Sequence, residues 1–222
     1  MSSKILHQTC WAKTIVGTKI EMFSARNSNE DGFLFIGGVH GDEPEGVELA
    51  QKLLSWLLKN NNSQMHSWAL IPCLNPDGYQ KNQRMNSQNV DLNRNFPTQD
   101  WLLSEKNRYY SGPFANSELE TQALVTHFKT HNYKSIIHFH SWEPCVVYTG
   151  ESGKKYAEIL SLENNYVVKP SIGYPTPGSF GDYGWKELGT PVICIEEQEK
   201  IDLKFVWPHF QEGLQTLLSK DQ

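Results

Sequence analysis

Short apolar, β-favouring runs recur along the chain at Ile20–Phe23, Phe33–Val39, Trp68–Cys73, Ser135–Phe139, Val146–Tyr148 and Val192–Ile195, and they predict strands. Several are uninterrupted rather than alternating, which is the pattern of strands buried on both faces and covered by helices. Between Glu45 and Lys59 the spacing changes to that of a helix, with Val47, Ala50, Leu53, Leu54, Leu57 and Leu58 on one side and Pro44 placed for the first turn. A second helix is predicted from Ser117, where Ser117-Glu118-Leu119-Glu120 fits a capping box ahead of Leu119, Ala123, Leu124 and Phe128. Two more are predicted near Gly153–Glu163 and Leu203–Leu218. The alternation predicts an α/β fold: an α/β/α sandwich around a mixed, twisted sheet, with ligands at strand ends.

Composition narrows the picture. At 222 residues and 38% hydrophobic content the chain can build one substantial core. No internal repeat, low-complexity tract or long linker divides it, so one domain over residues 1–222 is expected. The net charge of -5 has no block of like charges behind it, which argues against a nucleic-acid partner. Apolar runs are broken by Gly, His or charge well short of the roughly 18 residues of a membrane span. The N-terminus lacks the basic start, apolar core and small-residue cleavage site of a secretory signal, so a cytoplasmic protein is expected. Cys10, Cys73, Cys145 and Cys194 are scattered, with no CxxC pair, and are read as free thiols.

Candidate chemistry lies at the ends of the apolar runs. Phe33–Val39 leads through a Gly-rich turn into His40-Gly41-Asp42-Glu43-Pro44, where His40 and Glu43 can present an imidazole and a carboxylate suited to zinc. A third ligand is available from His138-Phe139-His140-Ser141, whose two histidines share one strand face. Taken alone, a His and a Glu three apart are what many ordinary turns and helix caps carry. Independent support comes from further segments. Asp91-Leu92-Asn93-Arg94-Asn95-Phe96, with Arg84 and Asn75-Pro76-Asp77-Gly78 before it, has side chains able to hold a carboxylate and stabilise an oxyanion. The strand Val192–Ile195 ends in Glu196 and Glu197, either of which could serve as a general base, and periodicity does not choose between them. The Pro/Gly-rich stretch Gly173–Asp182 carries Tyr174, which could close over a substrate, and Asp182.

This combination resembles the zinc carboxypeptidase family across about residues 33 to 198. The resemblance implies one zinc ion held by His40, Glu43 and His140, with His140 preferred to His138 because Ser141 follows it directly. It further implies Glu196 as the base, Arg84 as an oxyanion-stabilising residue, and Asn93, Arg94 and, more loosely, Tyr174 as substrate-binding residues. Within the family, the Gly-Tyr-Pro-Thr-Pro-Gly-Ser-Phe-Gly loop is similar to that of bacterial murein peptide amidases, which implies a small peptide substrate and cleavage of a γ-D-glutamyl–meso-diaminopimelate bond in cell-wall recycling. For the far end of a diaminopimelate side chain, Asp182 and Glu143 are candidate amine partners. Alternatives are an N-acyl-amino-acid deacylase of the aspartoacylase or succinylglutamate desuccinylase kind, and a catalytically inactive muropeptide-binding module.

Overall fold

The computed structural model describes residues 4–26 and 31–220. In chain order the elements are β1 (Leu6–Lys13), β2 (Lys19–Ala25), β3 (Gly32–Ile36), α1 (Pro44–Asn60), β4 (Trp68–Ile71), α2 (Pro76–Lys81), α3 (Leu119–Phe128), β5 (Tyr133–Trp142), β6 (Cys145–Tyr148), α4 (Glu151–Leu160), β7 (Val167–Lys169), α5 (Phe180–Asp182), β8 (Val192–Gln198) and α6 (Val206–Leu218). The strands form one eight-stranded sheet in the order β1-β2-β4-β3-β5-β8-β6-β7. The central run β4-β3-β5-β8 is parallel, while β1, β2 and β6 join it antiparallel. The sheet is therefore mixed, with a parallel centre of the kind that unbroken apolar runs and intervening helices predict.

Each face has its own core. Phe33, Phe35, Ile137, Phe139, Ile193 and Ile195 pack on one side beneath α1, α4 and α6, with Leu53, Leu57, Ala157 and Phe210 supplied by the helices. Leu34, Ile36, Ile136 and Val192 point to the other side, where Leu124 and Phe128 of α3 and Phe180 and Tyr183 cover them. Every residue of β3 and β4 is buried, which accounts for their lack of polar alternation. Leu53 and Leu57 are fully buried, and burial of such a side chain stabilises the fold by about 1.5–3 kcal/mol.

Three local expectations are corrected. Ser117 does not close a capping box: the residue at the start of α3 is Glu118, which makes no side-chain cap. Asn95 takes over the role from a distance, its Oδ1 accepting from Glu118 N–H at 3.1 Å and from the Thr121 hydroxyl at 2.8 Å. The Asn75–Gly78 segment, grouped above with the substrate-binding loops, opens the short helix α2 instead, with Asn75 Oδ1 accepting from Gly78 N–H at 2.9 Å. Beneath it, a Cβ on Gly41 would collide with the Gly78 and Tyr79 backbone, so the two loops can touch only because residue 41 lacks one. The helix predicted from Leu203 opens as a 3-10 turn, and α6 begins at Val206.

Candidate active site

The parallel strands deliver their C-terminal ends to one place. Beyond β3 the chain turns through Gly38, at φ 60°, and reaches His40 and Glu43 just before α1. Glu43 occupies the position before the first helical residue, yet its side chain caps nothing there. It turns instead to two histidines: Oε1 lies 2.7 Å from His40 Nδ1 and Oε2 lies 2.7 Å from His140 Nδ1, while the two Nδ1 atoms are 3.0 Å apart. All three side chains are buried.

The remaining nitrogens of both imidazoles are already engaged. His40 Nε2 is 3.1 Å from Asp91 Oδ1, and His140 Nε2 is 2.8 Å from His138 Nδ1. Two imidazole nitrogens and a carboxylate thus face a common point, each ring steadied from behind, which is the donor set and supporting shell that zinc takes in hydrolases. A second grouping, His138, His140 and Cys194, also has its donor atoms close together. It is the poorer set, because burial and Glu196 raise the Cys194 thiol well above its ordinary pKa and keep it protonated.

Opposite charges crowd together at the centre. Burial opposes charge on Glu43, but His40 and His140 hold its carboxyl well below the usual carboxylate range. Burial and Arg84 work against a charged His40, yet Glu43 and Asp91 outweigh them and raise it. For His138 burial dominates and keeps the imidazole neutral.

Glu196 and Glu197 separate cleanly. In β8, Glu196 pairs in register with His140 of β5 and lines the same cavity, of about 420 Å³, as His40, Glu43 and His140. Its partner is the Cys194 thiol, which donates to Oε1 at 3.2 Å, and burial together with Glu43 pushes its carboxyl up to about 8. Glu197 points through the sheet, where Tyr166 donates its hydroxyl to Oε1 and His209 Nδ1 lies 2.8 Å from Oε2.

Arg84, Asn93, Arg94, Tyr174 and Asp182 line that cavity as well. Arg84 is fixed through Nε to Asp91 at 2.9 Å and through Nη1 to Glu43 at 3.2 Å. The Asn93 side-chain oxygen accepts from Phe180 N–H at 2.8 Å, tying its loop to α5. Tyr174 is half-exposed at the mouth with its ring edge-on to Trp142. Asp182 is already paired with Lys186 at 3.0 Å. Glu143 does not join them: it lies in the turn between β5 and β6, is exposed to solvent, and lines no part of the cavity.

Sequence reasoning overlooked Asp91. It is fully buried and binds three groups at once, His40 Nε2, Arg84 Nε and the Asn93 N–H, so it joins a candidate ligand to a candidate oxyanion residue. The available signal was an acid flanked by Val90 and Leu92. Ser141, which directed attention to His140, also holds the fold together, since its hydroxyl donates to Glu45 at 2.7 Å and ties the end of β5 to α1.

Comparison with known proteins agrees with this geometry. The family model described as zinc carboxypeptidase matches residues 2–191, a span that contains His40, Glu43 and His140 and ends before Glu196. Murein peptide amidase A of Escherichia coli K12 is 30% identical over 185 residues, covering 78% of this chain and 74% of the relative. The crystal structure of a murein-tripeptide amidase from Escherichia coli O157 superposes with a TM-score of 0.75 at 27% identity, over 96% of this chain and 89% of that one. Carboxypeptidase A from Helicoverpa armigera shares the fold, with a TM-score of 0.81 at 17% identity, over 97% of this chain and 68% of that one.

Proposed function

The chain belongs to the zinc carboxypeptidase family and is a hydrolase of it, and from that premise we propose that it removes the C-terminal residue of a murein peptide by cutting a γ-D-glutamyl–meso-diaminopimelate bond. The observation that carries this reading is the placement of a buried carboxyl, Glu196, with no ion-pair partner among the described residues, in one cavity with the His40–Glu43–His140 donor set and Arg84. His40, Glu43 and His140 would hold the zinc, which when bound supplies the Lewis acidity that makes water a nucleophile near neutral pH.

The chain's own residues then divide the work. Glu196 accepts a proton from the attacking water and returns it to the leaving amine. Burial and Glu43 raise this carboxyl to about 8 in the metal-free protein, and a dication held by His40, Glu43 and His140 would favour its ionised form. Arg84, held in place by Asp91, offers its guanidinium to the oxyanion that develops as water adds. Asn93 and Arg94 bind the carboxylate of the residue being released, and Tyr174 closes the mouth against solvent. Asp182, on the α5 side of the cavity, faces the side-chain amine of that residue and exchanges Lys186 for it.

Among the described residues no helix is long and apolar enough to cross a membrane. We place the reaction in the cytoplasm, in recycling of cell-wall fragments, a reading supported by the free thiols of Cys145 and Cys194 beside the site. Incubation of the zinc-loaded protein with L-Ala-γ-D-Glu-meso-diaminopimelate, followed by mass spectrometry, should yield free diaminopimelate and L-Ala-D-Glu. Preferential release of ordinary residues from α-linked peptides would replace the amidase by a general carboxypeptidase, cleavage only of N-acyl amino acids would indicate a deacylase, and a bound but uncut peptide would indicate a binding module.

A further inference from the structure

The lining of the cavity carries more positive charge than one terminal carboxylate requires. Three guanidiniums gather on the ring of Tyr109, with Arg84 at 5.2 Å, Arg108 at 5.4 Å and Arg94 at 5.8 Å from its centroid. All four side chains line the cavity. A tyrosine face attracts cations, but three of them around one ring repel one another, so their counter-charges matter.

Those counter-charges are unequal. Arg84 is satisfied by two buried carboxylates, Asp91 and Glu43. Arg94 pairs with no carboxylate among the described residues and donates Nη1 to the Asn93 carbonyl at 2.6 Å. Arg108 has one ion pair among the described residues, to Asp42 at a long 3.7 Å, and its side chain is 59% exposed. A contact of that length at the surface contributes little, so Arg108 keeps most of its capacity to bind an anion. Two guanidiniums lining one cavity, the buried Arg94 and the exposed Arg108, are thus left for a ligand, and a bidentate fork of that kind matches a carboxylate.

The two lie toward different walls. Arg94 follows Asn93, which is bonded to Phe180 and so belongs with the α5 side of the cavity. Arg108 leans to Asp42, in the turn that carries His40 and Glu43. We propose that Arg108 is a specificity-determining residue that receives a second substrate carboxylate, borne by the residue on the acyl side of the scissile bond. The inference rests on the amidase reading, in which that residue is a γ-linked glutamate and its α-carboxylate stands free beside the bond to be cut. In an α-linked peptide the α-carboxyl is itself consumed in the scissile amide, so an uncharged residue linked in that way gives Arg108 no anion to bind.

The test compares zinc-loaded wild-type protein and Arg108→Gln on L-Ala-γ-D-Glu-meso-diaminopimelate and on the analogue whose glutamate α-carboxylate is a carboxamide. Wild type should favour the carboxylate peptide by about tenfold in kcat/KM, the size of one charged hydrogen-bonding contact. Arg108→Gln should remove that preference by raising KM for the carboxylate peptide, while the carboxamide peptide, which also reports on folding, changes by less than about twofold. Equal losses on both peptides, or an undiminished preference in the variant, would overturn the role of Arg108 and leave the amidase standing. Release of diaminopimelate from neither peptide by wild type would overturn the amidase reading and this proposal with it.

Discussion

On β8, the side chain of Glu196 projects to the face that carries His138, His140 and Cys194, whereas that of Glu197 projects to the face packed by α6. Both carboxyls are buried, at 9% and 1% exposure, and they are consecutive in sequence. Glu197 is bound by Tyr166, His209 and the Gln198 N–H, the last at 2.6 Å, so its oxygens are occupied and it holds the strand to α6. Glu196 has a thiol donor and open cavity, and burial beside Glu43 raises its affinity for a proton. Burial is common to both. Freedom to exchange a proton with something in the cavity belongs to one.

The first way to break this contrast is to remove what gives the Glu196 face its chemistry. His140→Ala should abolish stoichiometric zinc binding and reduce turnover by more than about a thousandfold, because it leaves two protein ligands where a hydrolytic site uses three. Metal analysis after gel filtration checks it, and full zinc occupancy in that variant would show that the metal is held without His140. On the opposite face, Glu197→Gln should lower stability by about 1–3 kcal/mol in denaturant titrations, since an amide cannot accept from both Tyr166 and His209 as a carboxylate does. Its kcat should stay within a few-fold of wild type, and a collapse of turnover in a folded variant would mean that both glutamates belong to the reaction.

Glu120 sharpens the comparison from a third position. It is buried on α3, one of its oxygens has no partner among the described residues, and burial, with Glu118 nearby, pushes its carboxyl up to about 7, yet it lines no part of the active cavity. A raised pKa alone should therefore confer no role in turnover, and Glu120→Gln should leave kcat/KM unchanged. Its effect belongs to stability. Because the folded state keeps a proton that the unfolded chain releases near 4.5, wild type loses stability as pH rises from about 4.5 to about 7, by up to about 3 kcal/mol, and is level above that. In Glu120→Gln this part of the slope should disappear, leaving the variant similar to wild type at pH 4 and more stable at pH 8 in thermal melts.

Much of the fold was legible because its centre is so uniformly buried. Unbroken apolar runs marked β3, β4, β5 and β8, and periodicity marked α1 to within a residue or so of its ends. The missed strands are those whose burial leaves no such trace. Every residue of β1 is exposed or half-exposed along Leu6–Lys13, and β7 is three residues at the sheet's edge. The start of α3 was misread because Asn95, more than twenty positions away in sequence, does what Ser117 was expected to do. At the site, residues that stand at strand ends or in a polar loop, such as His40, His140, Glu196 and Arg94, were found and do line one cavity. Those whose role depends on neighbours brought together by the fold were not. Asp91 looks like a turn acid until its three partners are seen, and Arg108 looks like a solvated surface charge until Tyr109 brings it beside Arg84 and Arg94.

The most direct test of the division of labour on β8 is zinc content and turnover measured together for Glu196→Gln. This variant keeps the shape of the side chain and all three candidate ligands but cannot accept a proton, so it should bind one equivalent of zinc, melt as cooperatively as wild type, and lose at least about a hundredfold to ten-thousandfold in kcat on the tripeptide. Wild-type turnover in a zinc-loaded Glu196→Gln protein would contradict the account.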